Sequence, residues 1–286
     1  MTANPSARGG ARQPRQPKPP VVLEVVATEQ LSPHMVRLTL GGPGFSLYQD
    51  KDATDKYIKL MFADPALGLT MPYDMEKLRE RLTPEQMPVR RTYTVRSVDH
   101  DAGTLTVDFV VHGDDGLAGP WAASAKVGDR VTFGGPGGMF QPDPAADWYL
   151  LAGDESALPA ISSALEAMPA DADGRAFIEV AGPEDEIALE APEGIEVTWL
   201  HRGGAFTPET TKLAAAVIDA PWQDGTVQVF AHGEREMVKA LRRYLADVRG
   251  VDRKQMSLSA YWAYGRAEEA FQAEKTEPIG KIFPEP

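Results

Sequence analysis

Short apolar or alternating runs, separated by turn residues, fill the chain from Val21 to about Phe140. They predict strands at Val21 to Ala27, Met35 to Leu40, Lys56 to Phe62, Arg91 to Val98, Thr104 to Val111 and Arg130 to Phe133. Valine and threonine dominate these runs, and Gly, Pro and Asp clusters bound them, as half-buried strands require. A small antiparallel β-barrel is the expected result. The stretch from Pro65 to Pro88 interrupts the pattern with Pro72, Pro84 and Pro88 around a short charged helix. It reads as an insertion, either surface padding or a lid beside a site.

From Trp148 the rhythm becomes strand, helix, strand. Strands are expected at Trp148 to Ala152, Ala176 to Val180, Glu196 to Leu200, Val227 to Ala231 and Met256 to Trp262. Helical spacing occupies Leu158 to Met168, Lys212 to Ile218 and Met237 to Val248. Such alternation implies an α/β doubly wound parallel sheet with both faces covered. The acidic, Pro-rich stretch from Gln141 to Asp147 makes a joint. The expected division is therefore a disordered basic tail over 1–20, a barrel over 21–142 and an α/β domain over 143–286 that ends in a C-terminal helix.

The tail carries Arg8, Arg12, Arg15 and Lys18 without an acid, whereas the whole chain has a formal charge of −13. That overall balance argues against a nucleic-acid partner, which would need a coherent basic surface. No stretch approaches the roughly 20 apolar residues of a membrane helix, and no secretory signal opens the chain. A cytoplasmic monomer is expected. The absence of cysteine removes disulfides, thiolate nucleophiles and protein-held iron–sulfur clusters, so any redox chemistry must come from a bound cofactor. The five histidines (His34, His100, His112, His201 and His232) are scattered without metal-ligand spacing, and no metal site is expected.

Arg91-Thr92-Tyr93-Thr94 opens a strand, where alternate side chains share a face. Arg91 and Tyr93 therefore project together, a cation beside a ring, suited to a ligand with both a phosphate and a flat ring system. Ordinary strand decoration explains the same four residues. After the next strand come His112-Gly113 and Gly116-Leu117-Ala118-Gly119-Pro120-Trp121, small residues ahead of a short helix near Ala118 whose positive end suits an anion. Alone, His112 reads as a structural histidine. The first turn of the second domain is Gly153-Asp154-Glu155-Ser156-Ala157, acidic where a dinucleotide fold usually has glycines. It reads as helix capping, as a hydrogen-bonding edge for a ligand, or as both. Gly134-Gly135-Pro136-Gly137-Gly138 precedes no helix and is expected to be a domain-joining turn.

In this order the motifs resemble the siderophore-interacting protein family, the flavin-dependent ferric-siderophore reductases of the vibriobactin-utilisation type within the ferredoxin–NADP reductase superfamily. Tyr57-Ile58-Lys59-Leu60, Arg91 to Arg96, Val107 to Gly113, Gly116 to Trp121, Gly153 to Ala160, Trp199 to Arg202 and Tyr261-Trp262 with Gly265-Arg266 carry the resemblance. It implies bound FAD and reduction of Fe(III) held by a siderophore. Arg91, Thr92, Tyr93, Thr94, His112, Gly116, Ala118 and Trp121 would contact the cofactor, with Asp154, Glu155, Ser156 and Ala157 over its far side. Lys59, Arg202 and Arg266 would face an anionic ferric siderophore. The chain has Gly137 and Ala263 where members of the family often carry basic residues, so less anionic substrates, such as ferric hydroxamates, are expected to suit it. NAD(P)H is the expected electron donor, with Arg202 and Arg235 available for a 2′-phosphate and reduced ferredoxin as the alternative. A general flavin-dependent NAD(P)H oxidoreductase and a non-catalytic siderophore-binding flavoprotein remain rival readings.

Overall fold

A computed structural model of the chain describes residues 20–113 and 116–283. All of the expected basic tail except Pro20 lies outside these residues. Strands β1 (Val21–Ser32), β2 (Met35–Gly41), β3 (Tyr57–Phe62), β4 (Val89–Asp99), β5 (Thr104–Val110) and β6 (Arg130–Gly137) close antiparallel in the order β1-β2-β5-β4-β3-β6. Closure is dictated by alternation. The inward residues Leu23, Leu38, Ile58, Val107, Phe109 and Phe133 are all at most 1% exposed, and a closed barrel leaves no strand edge unpaired. Helix α1 (Met75–Arg79) lies in the insertion, capped by the Asp74 side chain, and α2 (Ala118–Ser124) follows β5.

The second half is a parallel sheet of β7 (Trp148–Asp154), β8 (Asp173–Val180), β9 (Gly194–His201), β10 (Val227–Glu234) and β11 (Met256–Trp262), ordered β11-β10-β7-β8-β9. Every residue of β7 is buried, as a central strand covered on both faces must be. Helix α3 (Leu158–Glu166) packs Leu158, Ile161 and Leu165 on one face. On the other face lie α4 (Leu213–Asp219) and α5 (Arg235–Arg242), which continues through a π-helical turn to Val248. Strand order reverses between β7 and β10, so the crevice at their C-terminal ends is the switch point where such sheets take ligands. Helix α6 (Glu268–Glu274) follows β11.

One expectation is corrected here. Gly134 to Gly137 do not form a joining turn but extend β6, pairing Gly134 with Lys59 and Gly137 with Tyr57 of β3. A Cβ at Gly137 would come within 2.3 Å of the Tyr57 ring, so glycine is kept there by a neighbouring side chain and not by a turn. The barrel and the sheet are then tied directly. A bulge between Val95 and Ser97 aims Arg96 at Glu166 of α3, 2.9 Å away, and the Ser163 hydroxyl donates to the Arg96 carbonyl. At the β1–β2 turn, the Ser32 hydroxyl and the His34 amide donate to Asp185.

Candidate functional site

Cross-strand register places the first motif. Arg91 lies opposite Leu60 and Tyr93 opposite Ile58, so both share the barrel-side face of β4, while Thr92 and Thr94 lie opposite Lys59 and Tyr57 on the outer face. The Tyr93 ring sits 4.4 Å from that of Phe109, and Trp121 packs edge-on against Phe109 and Phe62. Burial pushes the Tyr93 hydroxyl up to about 12, keeping it protonated and able to donate. Thr94 is buried, and its hydroxyl lies near enough to Tyr261 at the end of β11 to favour that phenol's charged form, against the burial that raises its pKa. The two halves of the chain therefore meet at this strand. Tyr261 was visible in the sequence only as part of a family motif, because nothing local signals its contact with Thr94.

Beyond β5, Gly113 and Gly116 adopt left-handed backbone, and a Cβ at either would meet nothing within 4 Å. His112 is exposed, with its ring 6.3 Å from that of His34. Ala118 is buried, and Gly119 lets α2 approach β5, since a Cβ there would lie 3.1 Å from the Val110 carbonyl. Among the described residues, open space thus borders the two glycines.

The acidic turn points inward. Asp154 is 2% exposed and accepts hydrogen bonds from the Ser156 amide, the Glu234 amide and the Trp262 indole at 2.8–2.9 Å. Burial and the neighbouring Glu155 raise its carboxyl to about 6, against the pull of these donors. Ala157 is fully buried, and Ser156 also gives its hydroxyl to Asp154. Glu155 forms a two-pronged ion pair with Arg202, whose other neighbour is Glu179 at 3.7 Å. The Arg202 side chain is 1% exposed. Burial disfavours its charge, but Glu155 and Glu179 outweigh that and hold its pKa above the ordinary value. This guanidinium has no open face for a substrate or a 2′-phosphate. Arg235 is similarly enclosed, paired with Glu274 and Glu236.

The N-termini of α4, after the edge strand β9, and of α5, after β10 at the switch point, are occupied by the chain's own carboxylates. Glu179 accepts from the Lys212 and Leu213 amides opening α4, and Glu234 from the Glu236 and Met237 amides opening α5. Amides held in this way are not free for an anion, whereas α3, the helix of the domain's first turn, has no side-chain cap. The sequence marks only the acids at Asp154 and Glu155; Glu179 and Glu234 are recognisable only once strand ends and helix starts are juxtaposed.

A cleft of about 990 Å³ opens between the insertion and the outer face of β3, β4 and β6. Lys59, Arg79 and Arg90 line it with Asp74 and Glu76, over Met61, Tyr73 and Met75. Lys59 is opposite Thr92, so the cleft adjoins the motif. Arg266 lies elsewhere, its Nε 2.6 Å from Glu274 of α6, half exposed. The Pro65 to Pro88 insertion therefore borders a cavity.

The barrel, residues 24–140, matches the model of the siderophore-interacting FAD-binding domain, and residues 146–265 match that of the siderophore-interacting protein. This chain belongs to the siderophore-interacting protein family. An uncharacterized protein of Mycobacterium tuberculosis is 50% identical over 91% of this chain and 96% of its own length. The ferric vibriobactin reductase ViuB of Vibrio cholerae is 34% identical over 92% and 97%. Among solved structures, the siderophore-interacting protein SipS from Aeromonas hydrophila superposes with a TM-score of 0.78 at 32% identity, covering 92% of this chain and 98% of that one. A ferredoxin reductase of carbazole 1,9a-dioxygenase, at 19% identity and a TM-score of 0.61, shows the shared fold alone. The chemistry of the residues on this strand and the loop after β5 fits an FAD: a guanidinium, an aromatic wall and open space beside two glycines.

Proposed function

We propose that this siderophore-interacting protein is an FAD-dependent ferric-siderophore reductase. The observation that carries the reading is the placement of Arg91, Tyr93 and Thr94 on one barrel strand, bordered by the cleft at Lys59 and clasped by Tyr261 of the sheet. FAD supplies a carrier that accepts two electrons and releases them singly, which a cysteine-free chain cannot provide itself. In this reading Arg91 would hold the diphosphate and Tyr93 would support the ring, while Thr94, on the other face of the strand, would bear on the cofactor from the sheet side. Thr92, His112, Gly116, Ala118 and Trp121 close around the cofactor, and Asp154, Glu155, Ser156 and Ala157 form the rigid floor of the sheet facing it. The cleft takes the ferric siderophore, so the protein needs no iron ligands of its own. Fe(II) is less charged and is held less tightly by hard oxygen donors than Fe(III), which makes reduction the release step.

Three cations against two acids leave the cleft nearly balanced in charge, which supports ferric hydroxamates and other low-charge complexes as substrates over triply anionic catecholates. Lys59, opposite Thr92, and Arg90, next to Arg91 in the chain, are the cleft cations at the motif; Arg266 bears on α6, and Arg202 has a structural part inside the sheet. NAD(P)H is the donor in this reading, with its diphosphate held by side chains where the α4 and α5 amides already have partners. The same capping favours a second donor, a reduced ferredoxin that docks without entering the crevice.

Absorbance of the purified protein under anaerobic conditions tests the assignment. An oxidised flavin spectrum should bleach on addition of NADPH or reduced ferredoxin and return on addition of a ferric hydroxamate, faster than with a triscatecholate complex. A colourless protein that takes up no FAD, or a reduced flavin untouched by any ferric siderophore, would overturn it. Tyr93→Ala should weaken FAD binding about fivefold, since aromatic contact contributes on the order of 1 kcal/mol beyond burial. The flavin-to-protein absorbance ratio after gel filtration reads this directly, and an unchanged ratio removes Tyr93 from the site.

A further inference from the structure

The segment after Gly265 lies past the residues matched by the family model, which end at 265. Gly265 is in the left-handed region, φ +69°, and turns the chain into α6. The helix is fastened by three devices. Phe271 is 1% exposed and packs with Ala260 and Ala263, Glu274 receives both Arg235 and Arg266, and the Lys239 ammonium donates to the Ile279 carbonyl.

So anchored, α6 lies along the strip of barrel that carries the flavin motif. Glu269 takes the Arg91 guanidinium at 2.7 Å. Glu268 is near enough to Tyr93, and Lys275 to Lys59, for each pair to feel the other's charge. The Arg91 side chain is 17% exposed and Glu269 57%, so the carboxylate approaches from the solvent side of a partly enclosed cation. Arg91 holds the Glu269 carboxyl below the usual carboxylate range, which keeps it ionised at neutral pH.

We propose that Glu269 sets the affinity of this protein for FAD by competing with the cofactor's diphosphate for Arg91. The proposal rests on the reading of Arg91 as the diphosphate anchor given above. A guanidinium offers its best fork to one planar anion at a time. A diphosphate arriving at Arg91 therefore either displaces Glu269 or accepts a poorer geometry beside a negative charge. Partly exposed ion pairs contribute up to about 1 kcal/mol, which corresponds to a factor of about five in a dissociation constant. The anchors at Phe271 and Glu274 keep the helix in place while the Glu269 side chain swings away. The competitor is thus tethered next to its target at a high effective concentration.

Titration of FAD into the flavin-stripped, full-length chain, followed by quenching of flavin fluorescence, tests this on wild type, Glu269→Gln, Arg91→Ala and the double variant. Glu269→Gln is expected to tighten FAD binding three- to tenfold and to steepen the loss of affinity with salt, because screening no longer relieves an internal competitor. On the Arg91→Ala background the same change should have less than a twofold effect. Glu269→Ala, which removes the carboxylate without leaving an amide, should reproduce the tightening. Weakened binding in Arg91→Ala with no change in Glu269→Gln would overturn the competition while leaving the cofactor site intact. Equal tightening with and without Arg91 would also overturn it, since the effect would then be a general field. If the wild-type chain binds no FAD, the functional reading itself fails, and the competition with it.

Discussion

Replacing Arg202 by alanine is expected to destabilise the protein by about 3–5 kcal/mol, the range for removing one partner of a buried ion pair. The guanidinium is 1% exposed and stands between Glu155 and Glu179, whose side chains are 11% and 1% exposed. Without it, two carboxylates face each other across a site that water barely reaches. Glu179 keeps the Thr211 hydroxyl and the Lys212 and Leu213 amides, but neutral donors offset only part of a buried charge. Thermal unfolding should register a drop of roughly 10 °C in Tm. The double change Arg202→Ala with Glu155→Ala should recover a large part of the loss, because the uncompensated charge leaves with its partner. A single variant within 1 kcal/mol of wild type would show that Arg202 is not the keystone of this turn.

Arg91→Ala should weaken FAD binding on the order of 30- to 100-fold, as expected for a charge-assisted bond contributing about 2–3 kcal/mol. Arg91→Lys keeps the charge but not the fork, and should fall between the alanine variant and wild type. Fluorescence titration measures both, with near-UV circular dichroism to confirm that the barrel is intact. Binding within twofold of wild type in Arg91→Ala would place the diphosphate elsewhere. The alanine loss should be larger still on a Glu269→Gln background, because the wild-type value already includes the competing carboxylate.

Much of the fold was legible along the chain because strand alternation and helix spacing are short-range properties. The six barrel strands and the five parallel strands coincide with runs of Val, Thr, Leu and Ile bounded by turn residues. Deviations arose where a neighbour distant in sequence settled the matter. Gly134 to Gly137 carry no strand signal of their own, yet they pair with β3, and at Gly137 the Tyr57 ring fills the space a side chain would have taken. Arg202 stood in a motif and invited a substrate role, but a partner 47 residues away drew it inside. The C-terminal helix was expected; its hold on Arg91, across 178 residues, was not.

Two properties were determined by the amino-acid sequence alone: a barrel-then-sheet chain, through its change of hydrophobic period, and the condition that any redox chemistry must use a borrowed group, through its lack of cysteine. The ordered motifs marked its family resemblance as well. Only the tertiary structure decided which charges remain available. Folding turned Asp154, Glu155, Arg202 and Glu179 into an internal network, capped α4 and α5 with the chain's own carboxylates, and brought Glu269 to the Arg91 guanidinium. Periodicity is written locally by steric and solvation preferences, whereas the partner of a long charged side chain depends on which distant surfaces the fold presses together.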